Sequence, residues 1–134
     1  MKMVLIDTCA WIDFFKSRTG ELGNKVANLI EVNQAAITGV VIAELLQGVK
    51  HEKENQRLRV LLSSIHYLPT EDSDWMNAGK LAAQLRAKGL TLPLTDVLIA
   101  TIAQRHQISV LTIDKHFHHL GVDLEEILIV KGGK

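Results

Sequence analysis

Four carboxylates in this 134-residue chain interrupt stretches that are otherwise apolar. Asp7 follows MVLI. Glu44 is the only charge in GVVIAELLQG, and Asp96 is the only charge from Leu90 to Gln104. Asp114 follows SVLTI directly. Each has an ordinary explanation when taken alone. Asp7 and Asp114 can cap the helices that follow them. Asp96 suits a first helical turn, where the helix dipole favours an anion. Glu44 can be exposed or one half of an ion pair, but a lone charge in an apolar segment is rarely buried without a partner. Taken together, the four point to a shared site. Two like charges about 4 Å apart repel by roughly 4 kcal/mol at an effective dielectric near 20. No lysine or arginine lies close in sequence to Asp7, Glu44 or Asp96. A divalent cation answers that repulsion, and an all-oxygen set suits Mg²⁺ or Mn²⁺. Such an ion can activate water and stabilise the leaving oxygen of a phosphodiester.

The elements that must position these acids alternate. Short apolar runs read as strands at MVLI (3–6), AAIT (35–38), SVLTI (109–113) and ILIV (127–130), with a weaker one at IHYL (65–68). Between them, 21–31 places Leu22, Val26, Leu29 and Ile30 on one helical face. Residues 40–47 form a short apolar helix stopped by Gly48. A helix over 52–64 turns from polar to apolar. The stretch 71–89 carries a stripe of Trp75, Ala78, Ala82 and Leu85 and ends at Gly89. Pro93 opens a last helix, to about His106, that is apolar nearly all round and therefore buried. Strands alternating with helices give an α/β fold with a mostly parallel central β-sheet, whose working site lies beyond the carboxyl ends of the strands. The remaining acids sit in polar stretches such as HEKENQR and TEDSD, where a solvated face accounts for them.

Composition narrows the function classes. Fifteen basic and fifteen acidic residues cancel, so bulk electrostatics do not hold this chain on nucleic acid. Two Trp, one Tyr and three Phe are too few for a base-stacking platform. One cysteine forms no internal disulfide and suits a reducing compartment. No apolar run approaches the ~18 residues that span a membrane, so no membrane contact is expected and the cytoplasm is the default location. Without repeats or linkers, residues 1–134 read as a single domain. The apolar share of 47% implies an extra buried interface with a copy or a partner.

The segments VLIDTCAWIDFF, TGVVIAELLQGV, LTLPLTDVLIATIA and VLTIDKHFHHLGV, in that order, resemble the PIN-domain ribonucleases, and more narrowly the VapC-like toxins of toxin–antitoxin pairs. The resemblance covers essentially the whole chain. It implies a three-layer fold and an endoribonuclease dependent on Mg²⁺ (or Mn²⁺). By that likeness Asp7 and Asp96 bind the metal most directly, and Glu44 and Asp114 complete the acidic catalytic pocket. Thr8 and Thr112 would hydrogen-bond carboxylates or water. The resemblance also implies an RNA substrate, a homodimer, and a cognate VapB-like antitoxin that blocks the site. Two positions depart from the pattern. Cys9 stands where relatives often carry Ser or Asn, and His116 stands where another Asp is common, so a fifth carboxylate is missing.

Other chemistry is weaker. His116, His118 and His119 lack the cysteine or fourth histidine of a structural zinc site and read as a surface cluster. Cys9 has Phe15 where a cysteine phosphatase needs arginine. Arg86 is a candidate for holding a phosphate, set against a plain exposed helix arginine. Trp11, Phe14 and Phe15 read as core or dimer contacts. The second functional reading is a non-catalytic module of the same fold, whose acidic pocket receives a basic partner segment.

Overall fold

A computed structural model describes residues 2–16 and 20–127. The elements run β1 (Val4–Ile6), α1 (Thr8–Lys16), α2 (Glu21–Glu31), β2 (Ala35–Thr38), α3 (Gly39–Gln47), α4 (Glu52–Leu62), β3 (His66–Leu68), α5 (Asp72–Ala87), α6 (Leu94–His106) and β4 (Ser109–Leu111). A 3₁₀ turn over Lys115–His119 follows. The strands form one parallel sheet in the order β3-β2-β1-β4, flanked by the helices.

Register decides what comes together. Ile6 of β1 lies opposite Leu111 of β4, so the residues after these two strands emerge side by side. Asp7 N–H donates to the Leu111 carbonyl at 3.0 Å. The order also reverses here: β2 and β3 extend to one side of β1, and β4 lies on the other. Beyond the carboxyl ends of β1 and β4 lies the switch-point crevice where open α/β sheets place their ligands.

β1 is wholly apolar, and β2 carries only Thr38 besides apolar residues, because both faces of a parallel sheet are covered. β1, β2 and β4 are buried throughout, whereas the edge strand β3 leaves Tyr67 exposed. α6 runs through the core, with Val97 to Ala103 all buried. Its packing partner α5 turns Ala78, Ala82 and Leu85 to the core as the stripe predicts, but not Trp75. Trp75 is 55% exposed, and its neighbour Asp74 is fully buried with Ala78. Asp74 therefore does not lie on a solvated face. It accepts Nε (2.8 Å) and Nη2 (2.9 Å) of Arg105 from α6, and it closes the α5 capping box through Glu71 N–H at 2.8 Å. A buried carboxylate of this kind stands only with its cation and amide donors in place.

Helix ends follow local chemistry. After α5, Gly89 takes φ +88°. Its N–H reaches the Arg86 carbonyl, and Leu90 N–H reaches Leu85, the two bonds of a Schellman close. Asn33, at φ 61°, closes α2 in the same way. At the start of α2, Asp13 of α1 accepts Gly23 N–H at 3.0 Å, capping one helix from the next. Trp11 is fully buried and Phe14 packs against the core, while Phe15 is 45% exposed. The expected strand over 127–130 is not borne by Ile127, and 128–130 lie outside the described residues. The chain instead runs beside β4 at Leu124, which bridges Val110. Among the described residues no helix is long and apolar enough to cross a membrane.

Candidate active site at the carboxyl edge of the sheet

β1 delivers Asp7 and β4 delivers Thr112, both buried and adjacent. The Asp7 carbonyl accepts Ala10 and Trp11 N–H and starts α1. Its carboxylate faces the other way. Oδ2 accepts the Thr112 hydroxyl at 2.8 Å and the Cys9 thiol at 3.5 Å. Burial pushes the Cys9 thiol above its ordinary value, which keeps it a protonated donor. The Thr112 hydroxyl also accepts Asp114 N–H at 3.0 Å. One threonine thus sets two of the four acids.

Glu44 comes from α3, the helix after β2. Its Oε1 accepts the Thr8 hydroxyl at 2.6 Å. Asp96 lies in the first turn of α6. Its Oδ2 lies 2.8 Å from His116 Nδ1, and Asp114 Oδ1 lies 3.1 Å from the same nitrogen. Asp114 caps the 3₁₀ turn, accepting His116 N–H at 2.9 Å. That cap folds the imidazole, two residues on, back over both carboxylates. Ligand atoms of Asp96, Asp114 and His116 all lie within 4.8 Å of one another. His116 therefore belongs to the acids and not to a surface cluster, while His118 and His119 are exposed. The signal was local: an Asp whose side chain bonds the N–H two residues on makes a tight Asx-type turn.

The charges press on one another. Burial holds the Asp7 carboxyl above the ordinary carboxylate range, against the pull of Thr112, the Thr8 amide and Cys9, and Asp96 adds repulsion. Burial also raises Asp96; His116 opposes this, while Asp114 and Glu44 reinforce it. The bond to Asp96, then the charge of Asp114, raises His116 above its usual value. Among the described residues no lysine or arginine pairs with any of the four acids. Arg86 is exposed near the end of α5, and no hydrogen bond or ion pair joins it to these groups. Side-chain exposure rises from 14% at Asp96 to 37% at Asp114 and 44% at His116. The site thus has a buried floor at Asp7 and an open rim.

The donor set is two to four carboxylates and one imidazole, and among the described residues no lysine or arginine is paired with it. Such a set fits a divalent cation. Comparison with known proteins agrees with the architecture. The family model described as "PIN domain" matches residues 4–123. This chain belongs to the PIN domain family. The PIN chain is 28% identical over 119 residues to "VapC ribonuclease Mb1587" of Mycobacterium bovis, covering 86% of this chain and 89% of that protein. It is similar to a toxin–antitoxin complex from Klebsiella pneumoniae, with 25% identity and TM-score 0.74 over 91% of this chain and 96% of that one. The fold also matches DNA-bound VapBC from Salmonella typhimurium, with 19% identity and TM-score 0.81 over 96% of this chain and all (100%) of that one.

Proposed function

We propose that this PIN chain is a divalent-metal-dependent endoribonuclease, the toxin of a toxin–antitoxin pair, acting in the cytoplasm and held inactive by a cognate VapB-like antitoxin. The observation that carries the reading is the gathering of Asp7, Glu44, Asp96 and Asp114 at the β1–β4 crevice, where they repel one another and, among the described residues, no lysine or arginine pairs with them. The names of the similar proteins, ribonuclease and toxin–antitoxin complex, supply the substrate class and the partner. Residues 1–134 as one domain and a homodimer complete the proposal.

Asp7 and Asp96 most directly, with Glu44 and Asp114 completing the pocket, would hold Mg²⁺ or Mn²⁺. When bound, the cation offsets carboxylate repulsion and offers a Lewis-acid contact to a phosphate oxygen. The remaining work falls to the chain itself. Thr112 fixes Asp7, and Thr8 fixes Glu44, so neither carboxylate must be ordered when substrate arrives. Asp96, in the first turn of α6 beside the partly open rim, stands where a carboxylate oxygen can accept the proton of an attacking water. The half-exposed rim at Asp114 and His116 is the side from which a phosphodiester can approach. With zero formal net charge, recognition rests on local RNA shape or a short sequence, and binding should depend only weakly on salt.

The test is cleavage of total cellular RNA by the purified chain with Mn²⁺ or EDTA, mapping new 5′ ends, beside Asp7→Asn and Asp96→Asn. Discrete ends that need the metal and both acids are expected. No cutting under any condition, together with no metal binding, would favour the non-catalytic pocket, which has no need of a cation. Full activity in either variant would overturn the site assignment.

A further inference from the structure

We propose that His116 is itself a metal ligand, making this a mixed nitrogen–oxygen site that takes Mn²⁺ in preference to Mg²⁺. The inference rests on the metal-dependent reading above and adds which donor replaces the missing carboxylate.

The geometry comes first. His116 Nδ1 lies 2.8 Å from Asp96 Oδ2 and 3.1 Å from Asp114 Oδ1. Around an octahedral ion with bonds of about 2.1 Å, neighbouring donors lie about 3 Å apart and opposite donors about 4.2 Å apart. Both separations from Nδ1 are those of neighbouring donors. The nitrogen thus already stands at neighbour distance from both carboxylates, in a group compact enough to share one ion.

The ring is also held in place. His116 N–H is tied to Asp114 Oδ1 at 2.9 Å, and the next residue, Phe117, is 1% exposed and anchors the turn in the core. His118 and His119 are exposed and lie outside the group, so only one nitrogen is on offer. The ring is partly open to solvent, and a proton displaced from Nδ1 can leave to water without crossing the core.

Donor chemistry then decides the ion. Mg²⁺ demands near-ideal oxygen octahedra and keeps its waters. Imidazole favours the first-row transition ions, whose affinities rise from Mn²⁺ onward. One nitrogen among carboxylates therefore moves the preference away from Mg²⁺. An aspartate at 116 would restore an all-oxygen set.

The experiment uses the whole chain, stripped of metal. MnCl₂ and MgCl₂ are titrated calorimetrically into wild type, His116→Asp and Asp96→Asn. The Mn²⁺-loaded wild type is examined by electron spin-echo envelope modulation. Nitrogen modulation from a directly bound imidazole is expected in wild type and its loss in His116→Asp. The ratio of Mn²⁺ to Mg²⁺ affinity should fall by about tenfold or more in that variant. If Mn²⁺ binds, depends on Asp96, and shows neither nitrogen modulation nor a changed ratio in His116→Asp, the histidine proposal is overturned and the metal reading stands. If Mn²⁺ does not bind, or binds equally well to Asp96→Asn, both are overturned.

Discussion

Thr112→Val tests whether the site is built by one hydroxyl. Valine keeps the shape of this buried residue and removes only its oxygen. Two bonds go. Asp7 Oδ2 loses its 2.8 Å donor, and Asp114 N–H loses its 3.0 Å acceptor. A hydrogen bond to a charged group is worth about 1.5–3 kcal/mol and an ordinary one about 1 kcal/mol. The part-buried Asp114 amide can recover some of its share from water. The expected cost is therefore about 2–4 kcal/mol, or a fall in Tm of about 10 °C for a domain of this size. The pH dependence has a definite sign. Burial already raises the Asp7 carboxyl, so its ionisation costs stability as pH rises through its folded value. Thr112 offsets part of that cost, so the penalty of Thr112→Val should grow with pH and shrink once Asp7 is protonated. Urea denaturation followed by circular dichroism at acid and mildly alkaline pH measures this directly. Thr112→Ser, which keeps the hydroxyl, should restore most of the loss. RNA cleavage should fall about tenfold for each 1.4 kcal/mol of lost positioning. A Thr112→Val chain within about 0.5 kcal/mol of wild type at alkaline pH, or a Thr112→Ser chain equally damaged, would refute the reasoning.

Other outcomes follow from the same contacts. Arg105→Met strands the buried Asp74 and should cost about 3 kcal/mol at neutral pH by denaturant titration, near the low end for a broken buried pair because Arg105 is 28% exposed. Burial pushes the Asp74 carboxyl up, but the bonds from Arg105 and Glu71 N–H bring it below its ordinary value. Its contribution is thus present above that value and lost as pH falls through the depressed one, so wild type and Arg105→Met should converge in acid. Asp7 and Asp96 behave oppositely: their carboxyls are raised, so the metal-free chain should lose stability as pH rises through their folded values. Excess MnCl₂ at mildly alkaline pH should reverse this, by about 2.7 kcal/mol at a hundredfold excess over Kd, and thermal melts of Asp96→Asn should show little of that rise.

Much of this arrangement is legible in local patterns. The helix over 21–31 is marked by its stripe, and α6 by its opening proline and unbroken apolar surface. The four acids stand out because each breaks an apolar run, and parallel topology then sends two of them to one edge. What escaped reading depends on distant partners. Asp74 looks solvated in TEDSD because Arg105, which makes its burial tolerable, lies 31 residues away. Trp75 is the larger apolar residue, yet the face of α5 that packs is set by Asp74 and Ala78. His116 reads as one of three surface histidines until the cap at Asp114 turns it back toward Asp96, 20 residues earlier in the chain.

The bond between Asp7 and Thr112 spans 105 residues of sequence. β1 is made early and then waits, with one flank open, until β4 arrives to complete the crevice. Closing so long a loop costs entropy that only the finished sheet returns. During synthesis the first acid is therefore displayed without the threonine that fixes it, or the rim that Asp114 and His116 supply. A ribosome making this chain would carry no complete crevice until β4 and the turn after it had emerged. The order of the strands makes the crevice one of the last parts of the described fold to be completed.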